Sequence, residues 1–153
     1  MIRTFFLAAL FGFFAFAAMA QEKSDDVPYR QDSGLITAEY YLATGKYTQA
    51  LQVIGGVMKR HPRSADAYVY RGYAYEKLGD VQKAMADYKA ALNIDPSHLG
   101  ANRYIAGLYV QQGERALAFE QLQAIRAICA GMECSEETEL QNLINQAKKP
   151  ASP

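Results

Sequence analysis

The chain has 153 residues, with 16 basic and 16 acidic side chains and a formal net charge of zero. That length suits one domain. A near-neutral chain without a basic cluster argues against nucleic acid or an anionic membrane surface as partner.

Residues 1–20 carry one charge, Arg3, then an apolar run over 5–18, and close on Ala18-Met19-Ala20. A short apolar run ending on small residues predicts a secretory signal peptide cleaved after Ala20. A membrane anchor is the competing expectation, but a run of about fourteen residues falls short of the roughly 20 that span a bilayer. The expected location is therefore periplasmic or secreted, with no stable membrane insertion after cleavage. Gln21, not Cys, immediately follows the cleavage point, which argues against a lipoprotein. Residues 21–30 are polar and charged, show no apolar period, and are expected to form a flexible leader.

The segment 31–64 places Ala38, Tyr41, Gly45, Ala50 and Pro62 at intervals that recur later. Gly55-Gly56 is expected to interrupt its second helix, at a cost of roughly 1 kcal/mol each relative to Ala. The segment 65–98 shows the pattern most fully. Tyr68, Gly72 and Tyr75 lie four and then three residues apart, on one helical face, and Ala84, Tyr88 and Ala91 follow the same rule. Gly72 and Ala84 are small, so the paired helices can approach closely. Gly79 suits a left-handed helix end, Asp80 suits the next cap, and Pro96 stops the second helix.

In 99–132 the same columns hold Ala106, Tyr109, Gly113 and Ala118. A shift of 34 residues thus superposes the segments in both directions, and a fixed period of this length predicts stacked repeats. The outer copies depart from the middle one: Gly34 and Asn102 stand in the Tyr68 column, Ile54 replaces Tyr88, and Ala130 replaces the proline. Without that proline the helix near 115–128 is free to run on slightly. A seventh helix is expected at 135–149, with Ser135 as cap, Glu136 and Glu137 in its first turn, and Lys148 and Lys149 in its last. Its stripe of Leu140, Leu143, Ile144 and Ala147 should cover the third repeat.

Tyr68, Gly72, Tyr75, Gly79, Ala84, Tyr88, Ala91 and Pro96 have the spacing of the tetratricopeptide repeat (TPR), and the chain resembles that family. The resemblance implies an all-α, right-handed α-solenoid of three helical hairpins plus a C-terminal capping helix. It also implies that the first helix of each hairpin lines a concave groove, where an extended peptide or partner helix binds. Columns beside the packing stripe would face that groove: Leu35, Ile36, Glu39 and Leu42, then Asp66, Val69, Tyr70, Tyr73 and Glu76, then Arg103, Tyr104, Gly107 and Gln111. Partner contact is assigned to Leu35, Glu39, Val69, Tyr70, Tyr73, Arg103, Tyr104 and Gln111, because tyrosine offers large apolar area with a hydroxyl, with packing between repeats the equal alternative for Tyr70, Tyr73 and Tyr104. Tyr41, Tyr75, Tyr88 and Tyr109 are expected to serve packing alone. Family members that clamp a C-terminal carboxylate use Lys, Asn and Arg in columns that here hold Leu35, Glu39, Tyr70, Gly100 and Tyr104, so a clamp is not expected.

No nucleophile, phosphate-loop or dinucleotide motif is present, and no catalytic, cofactor or metal residues are assigned. Asp66, Glu76 and Asp87 are read as a solvated face, and His61 and His98 as exposed loop residues. Cys129 and Cys134 are expected to form a disulfide in an oxidising compartment, worth roughly 2 kcal/mol by chain entropy. Redox catalysis usually needs a Cys-x-x-Cys pair, and a metal would need further ligands. The resulting expectation is a non-catalytic adaptor or scaffold of the cell envelope, similar to small periplasmic bacterial TPR proteins. The alternatives are a thiol–disulfide sensor using Cys129 and Cys134, or a self-associating structural subunit.

Overall fold

The computed structural model describes residues 32–130 and 134–147. The expected signal peptide, the leader, Lys148 and Lys149 lie outside the described residues. Seven helices follow in order: α1 (Ser33–Ala43), α2 (Tyr47–Arg60), α3 (Ala65–Lys77), α4 (Val81–Ile94), α5 (Leu99–Gln111), α6 (Arg115–Cys129) and α7 (Ser135–Gln146). No strand occurs among the described residues. Consecutive helices pair as α1–α2, α3–α4 and α5–α6, each pair stacks on the next, and α7 packs on both α5 and α6.

The turns follow from the glycines. Gly45, Gly79 and Gly113 hold φ of 72°, 85° and 78° between the two helices of each hairpin. An L side chain is disfavoured at that φ, which explains why glycine recurs in this column. Asp80 caps α4 as expected, accepting from the Lys83 N–H at 3.1 Å. One helix expectation changes and one is met. α2 runs unbroken through Gly55-Gly56. α6 ends at Cys129, because Ala130 turns left-handed at φ 47° and stops the helix without a proline.

Four inner columns are closed to solvent in the hairpin cores. Ala50, Ala84 and Ala118 are fully buried, as are Ile54, Tyr88 and Leu122. So are Val57, Ala91 and Ile125, and the facing column holds Ala38, Gly72 and Ala106, also buried. The close approach at Gly72 is to a ring, not to a helix backbone. A Cβ built there would sit 2.7 Å from Cε1 and 2.9 Å from Cδ1 of Tyr88. The first and third hairpins use Ala with Ile54 and Ala with Leu122, while the middle one exchanges a methyl group for ring volume.

Each hairpin core is completed by the next element. Ala67 and Ala74 of α3 join the core of the first hairpin. Ala101, Ile105 and Leu108 of α5 join that of the second. Leu140 and Ile144 of α7 close the third. The capping stripe is narrower than its sequence pattern: Leu143 remains 39% exposed and Ala147 is also exposed. Cys134, not Ser135, occupies the cap position of α7, and the Ser135 hydroxyl donates to Glu136 instead.

Several charged residues read as solvated are tied between elements. Arg71 Nε donates to Asp87 at 2.8 Å and Nη2 donates at 2.6 Å, and Asp87 is 5% exposed. Glu76 accepts the Tyr88 hydroxyl at 2.9 Å. Asp66 lies 2.8 Å from His98 Nε2, while His98 Nδ1 accepts the Ala101 N–H and caps α5. His98 is therefore an inter-hairpin strut, not an exposed loop residue. Asp32, in the same column as Asp66, caps α1 through the Gly34 N–H and reaches Arg60 and His61 at the end of α2. The sequence hid the pairings between side chains because each joins residues at least 12 positions apart, beyond the reach of local helix spacing.

Replacing Gly72 by Ala should destabilise the chain by about 1–3 kcal/mol through overpacking against Tyr88. Tyr88→Leu in the same chain should recover part of that loss, because the pair would then match the Ala106 and Leu122 columns. Urea unfolding of the two single variants and the double variant measures the coupling. Additive losses would mean that the ring and Gly72 do not share the space.

Candidate functional site

The first helices α1, α3 and α5 pack side by side, α1 on α3 and α3 on α5. On the face they form, a cleft of about 420 Å³ opens between α3, α5 and α7. Tyr73, Glu76 and Lys77 line it from α3, and Arg103, Tyr104, Gly107 and Gln111 from α5. Glu139, Leu140 and Leu143 form the wall supplied by α7.

The rings are held by packing behind the cleft. Tyr104 stacks on Tyr88 at 5.4 Å between centroids and 11° between planes. Tyr73 leans on Tyr104 at 5.4 Å, and Tyr47 meets Tyr73 edge-on at 6.5 Å. At the rim, one cation is paired with a carboxylate and two lie against aromatic rings. The Arg103 guanidinium lies 4.3 Å from the Tyr104 centroid, and its Nη1 is 3.1 Å from Glu139. Lys77 Nζ sits 5.0 Å over the Tyr73 ring. Cations over aromatic faces are attracted by the ring quadrupole.

Of the residues assigned to partner contact, Tyr73, Arg103, Tyr104 and Gln111 come together in this cleft. Glu39 is exposed on α1, outside it. Tyr70 is partly buried and packs against the cores of both the first and second hairpins. Leu35 and Val69 are core residues, 4% and 3% exposed, and Leu42 is buried as well. Helical spacing put them beside the packing stripe, but the stripe is wide enough to include them once the neighbouring hairpin is in place. The wall from α7 and Lys77 were missed. The available signal was the stripe of α7, too broad for all of it to be covered by one hairpin.

Tyr88 does more than fill the core. Burial first, then the Glu76 carboxylate beside it and the hydrogen bond between them, push its phenol well above the ordinary 10.0. Cys129 and Cys134 are bonded, joining the end of α6 to the start of α7. Among the described residues, no group of three His, Cys, Asp or Glu side chains is placed to hold a metal ion. No helix among them is long and apolar enough to cross a membrane.

Residues 37–98 match the family described as tetratricopeptide repeat. The TPR2B domain of yeast Sti1, solved as a complex with pHsp70, superposes with a TM-score of 0.68 at 27% identity, covering 75% of this chain and 93% of that one. Residues 37–98 thus match TPR repeats, and the helices fold as a TPR solenoid. The Yersinia enterocolitica translocator chaperone SycD has the same TM-score at 18% identity, covering 76% of this chain and 81% of that one, and shows the shared fold. Among curated relatives, the small glutamine-rich TPR protein 2 of Saccharomyces cerevisiae is 29% identical over 96 residues, 59% of this chain and 26% of the relative. The probable biofilm formation methyltransferase WspC of Pseudomonas putida is 35% identical over 89 residues, 58% of this chain and 20% of that protein. The chain therefore spans about a quarter or less of these curated relatives. Three helical hairpins with a capping helix, in the TPR arrangement of the Sti1 domain, are what the described residues contain.

A phenol whose folded pKa is raised stabilises the fold below its unfolded value, and that stability is lost as pH rises through the folded value. Stability should therefore fall above pH 10.0, the ordinary value for Tyr88. Alkaline titration followed at the tyrosinate absorbance should show one phenol ionising only as the helical signal collapses. In Tyr88→Phe that late step should vanish, at a cost of about 1 kcal/mol near neutral pH for the lost hydrogen bond.

Proposed function

We propose that this TPR chain is a non-catalytic adaptor exported to the bacterial cell envelope, which holds a peptide or a partner helix on the face of α1, α3 and α5. The observation that carries the reading is the cleft between α3, α5 and α7, where Tyr73, Arg103, Tyr104 and Gln111 converge around an open volume of about 420 Å³. The Sti1 TPR2B domain forms a complex with pHsp70, which supports a protein or peptide as the occupant here. The mode of capture differs from a carboxylate clamp. The columns that resemble the clamp positions hold Leu35, Glu39, Tyr70, Gly100 and Tyr104, and none supplies a cation. Apolar and tyrosine contacts are therefore the source of affinity, with burial of apolar area as the driving term.

Export is supported by the sequence of residues 1–20, whose apolar run and Ala18-Met19-Ala20 ending fit a cleaved signal peptide. The Cys129–Cys134 bond fits an oxidising compartment, where such a bond persists. It also gives the disulfide a structural task, because it joins α6 to the helix that walls the cleft.

A photo-crosslinking residue at Gln111, inside the cleft, should trap a partner in intact cells. The same residue at Lys89, exposed on α4, should not. Equal trapping from both positions would remove the assignment of the binding face. N-terminal sequencing of the chain recovered from the periplasm should begin at Gln21, whereas a chain starting at Met1 in the cytoplasmic fraction would overturn export.

A further inference from the structure

The helices that open the hairpins share three columns with which each packs on the hairpin before it. Those columns hold Ala67, Tyr70 and Ala74 in α3, and Ala101, Tyr104 and Leu108 in α5. Ala67 and Ala74 are fully buried in the core of the first hairpin, and Ala101 and Leu108 in that of the second. In α1 the same columns hold Ser33, Ile36 and Tyr40. No hairpin precedes α1 among the described residues, and Ile36 is 62% exposed and Tyr40 58%. The end of a stack of repeats is normally finished with a polar outer face. The opposite end follows that rule: α7 closes the third core, and its exposed residues are polar apart from Leu143 at the cleft and Ala147 at its end. α1 breaks the rule with the two most exposed large apolar side chains among the described residues.

The stripe along α1 through Ser33, Ile36, Thr37, Tyr40 and Thr44 is uncharged, and all five residues are exposed. The Thr37 hydroxyl donates to the Ser33 carbonyl at 2.8 Å and the Thr44 hydroxyl to the Tyr40 carbonyl at 2.8 Å, so a dry contact would leave neither unpaired. Glu39 is the one charged residue within α1, and helical spacing puts it off the stripe. The nearest charges sit at the two ends: Asp32 with Arg60 and His61 at the start, and Lys46, 5.8 Å from the Tyr40 centroid, at the finish.

Three observations select a second copy of the chain as the cover. An uncharged stripe can face itself without opposing like charges, and a formal net charge of zero leaves no long-range repulsion between copies. A branched aliphatic and an aromatic side chain one turn apart can interlock across a twofold axis, the symmetry in which one patch serves both partners. The segment before α1 suits the stripe poorly: residues 21–31 hold five charges in eleven positions, and only Val27 and Tyr29 are large and apolar.

We propose that two copies of the chain form a twofold dimer in which α1 packs on α1 through Ile36 and Tyr40. Because α7 closes the other end, association stops at two. One three-turn helix buries less than the roughly 1,200 Å² of a stable interface, so the dimer is weak, with a Kd of about 10–100 μM. The cleft takes no residue from α1, so each dimer carries two clefts. The proposal uses the exported chain starting at Gln21 and is otherwise independent of the binding face.

Sedimentation velocity of that chain should show a monomer at about 1 μM and a dimer at about 1 mM. Across the same range the backbone amide signals of Ile36, Thr37 and Tyr40 should move, while those of Gln111 and Leu143 stay. Ile36→Lys combined with Tyr40→Lys should keep the chain monomeric throughout, with the urea midpoint unchanged, because both side chains are exposed. Thr37→Lys, on the same stripe, gives the same test if the double variant loses its helical signal. Leu143→Lys, at the far end, should leave the dimer as it is. A monomer at the highest concentration overturns the dimer, whether residues 21–31 or another protein covers the stripe. So does a dimer that survives in the folded α1 variants, a dimer lost in Leu143→Lys, or growth into larger assemblies. Crosslinking from Gln111 reads the cleft separately, so either assignment can fail while the other stands.

Discussion

The ring of Tyr88 against Gly72 is the contact on which the middle of the molecule depends. The side chain comes from α4, occupies the space a methyl group would take on α3, and stacks on Tyr104 of α5. Its hydroxyl ends on Glu76, at the lip of the cleft. One residue thus sets the spacing within its hairpin, the contact with the next hairpin and the plane of a cleft-lining ring. Core packing and the binding face are consequently not separable here. Tyr104 can present one orientation to a partner because its other contacts are already fixed, which reduces the ordering cost of association.

The architecture was readable in the sequence because its causes are local and periodic. A left-handed glycine after each first helix, small residues on the inner faces and a 34-residue period all act within one hairpin or between identical neighbours. The site was readable only in part. Leu35 and Val69 look like groove residues on a helical wheel, yet the adjoining hairpin covers them. Asp87 looks like a surface acid until Arg71, sixteen residues away, is brought to it by the hairpin turn. His98 could have been placed correctly, since it shares its column with Ser64, which caps α3 through its own side chain. The contribution of α7 to the cleft was signalled only by the breadth of its stripe, because spacing within α7 does not reveal where the helix docks.

The middle hairpin is also distinct from its neighbours in a way the repeat pattern conceals. Ala38 and Ala106 occupy the column of Gly72, and each carries a methyl group where Tyr88 would need room. α4 is therefore matched to α3 and ill-suited to α1 or α5. In a chain whose units resemble one another, such a match discriminates against exchanged pairings that the shared pattern would otherwise tolerate. The Asp32–His61 contact ties the ends of the first hairpin and the Asp66–His98 contact ties α3 to the start of α5, with hydrogen bonding in place of shape.

The completion of each core by the element that follows it has a directional consequence. During synthesis on the ribosome the amino-terminal hairpin emerges first, with the apolar face later covered by α3 still bare. Every further hairpin shields the previous face and presents another. That succession ends only when Leu140 and Ile144 arrive. The thiols of Cys129 and Cys134 bracket that last step, so their oxidation would fasten the molecule after its final surface has been sheltered.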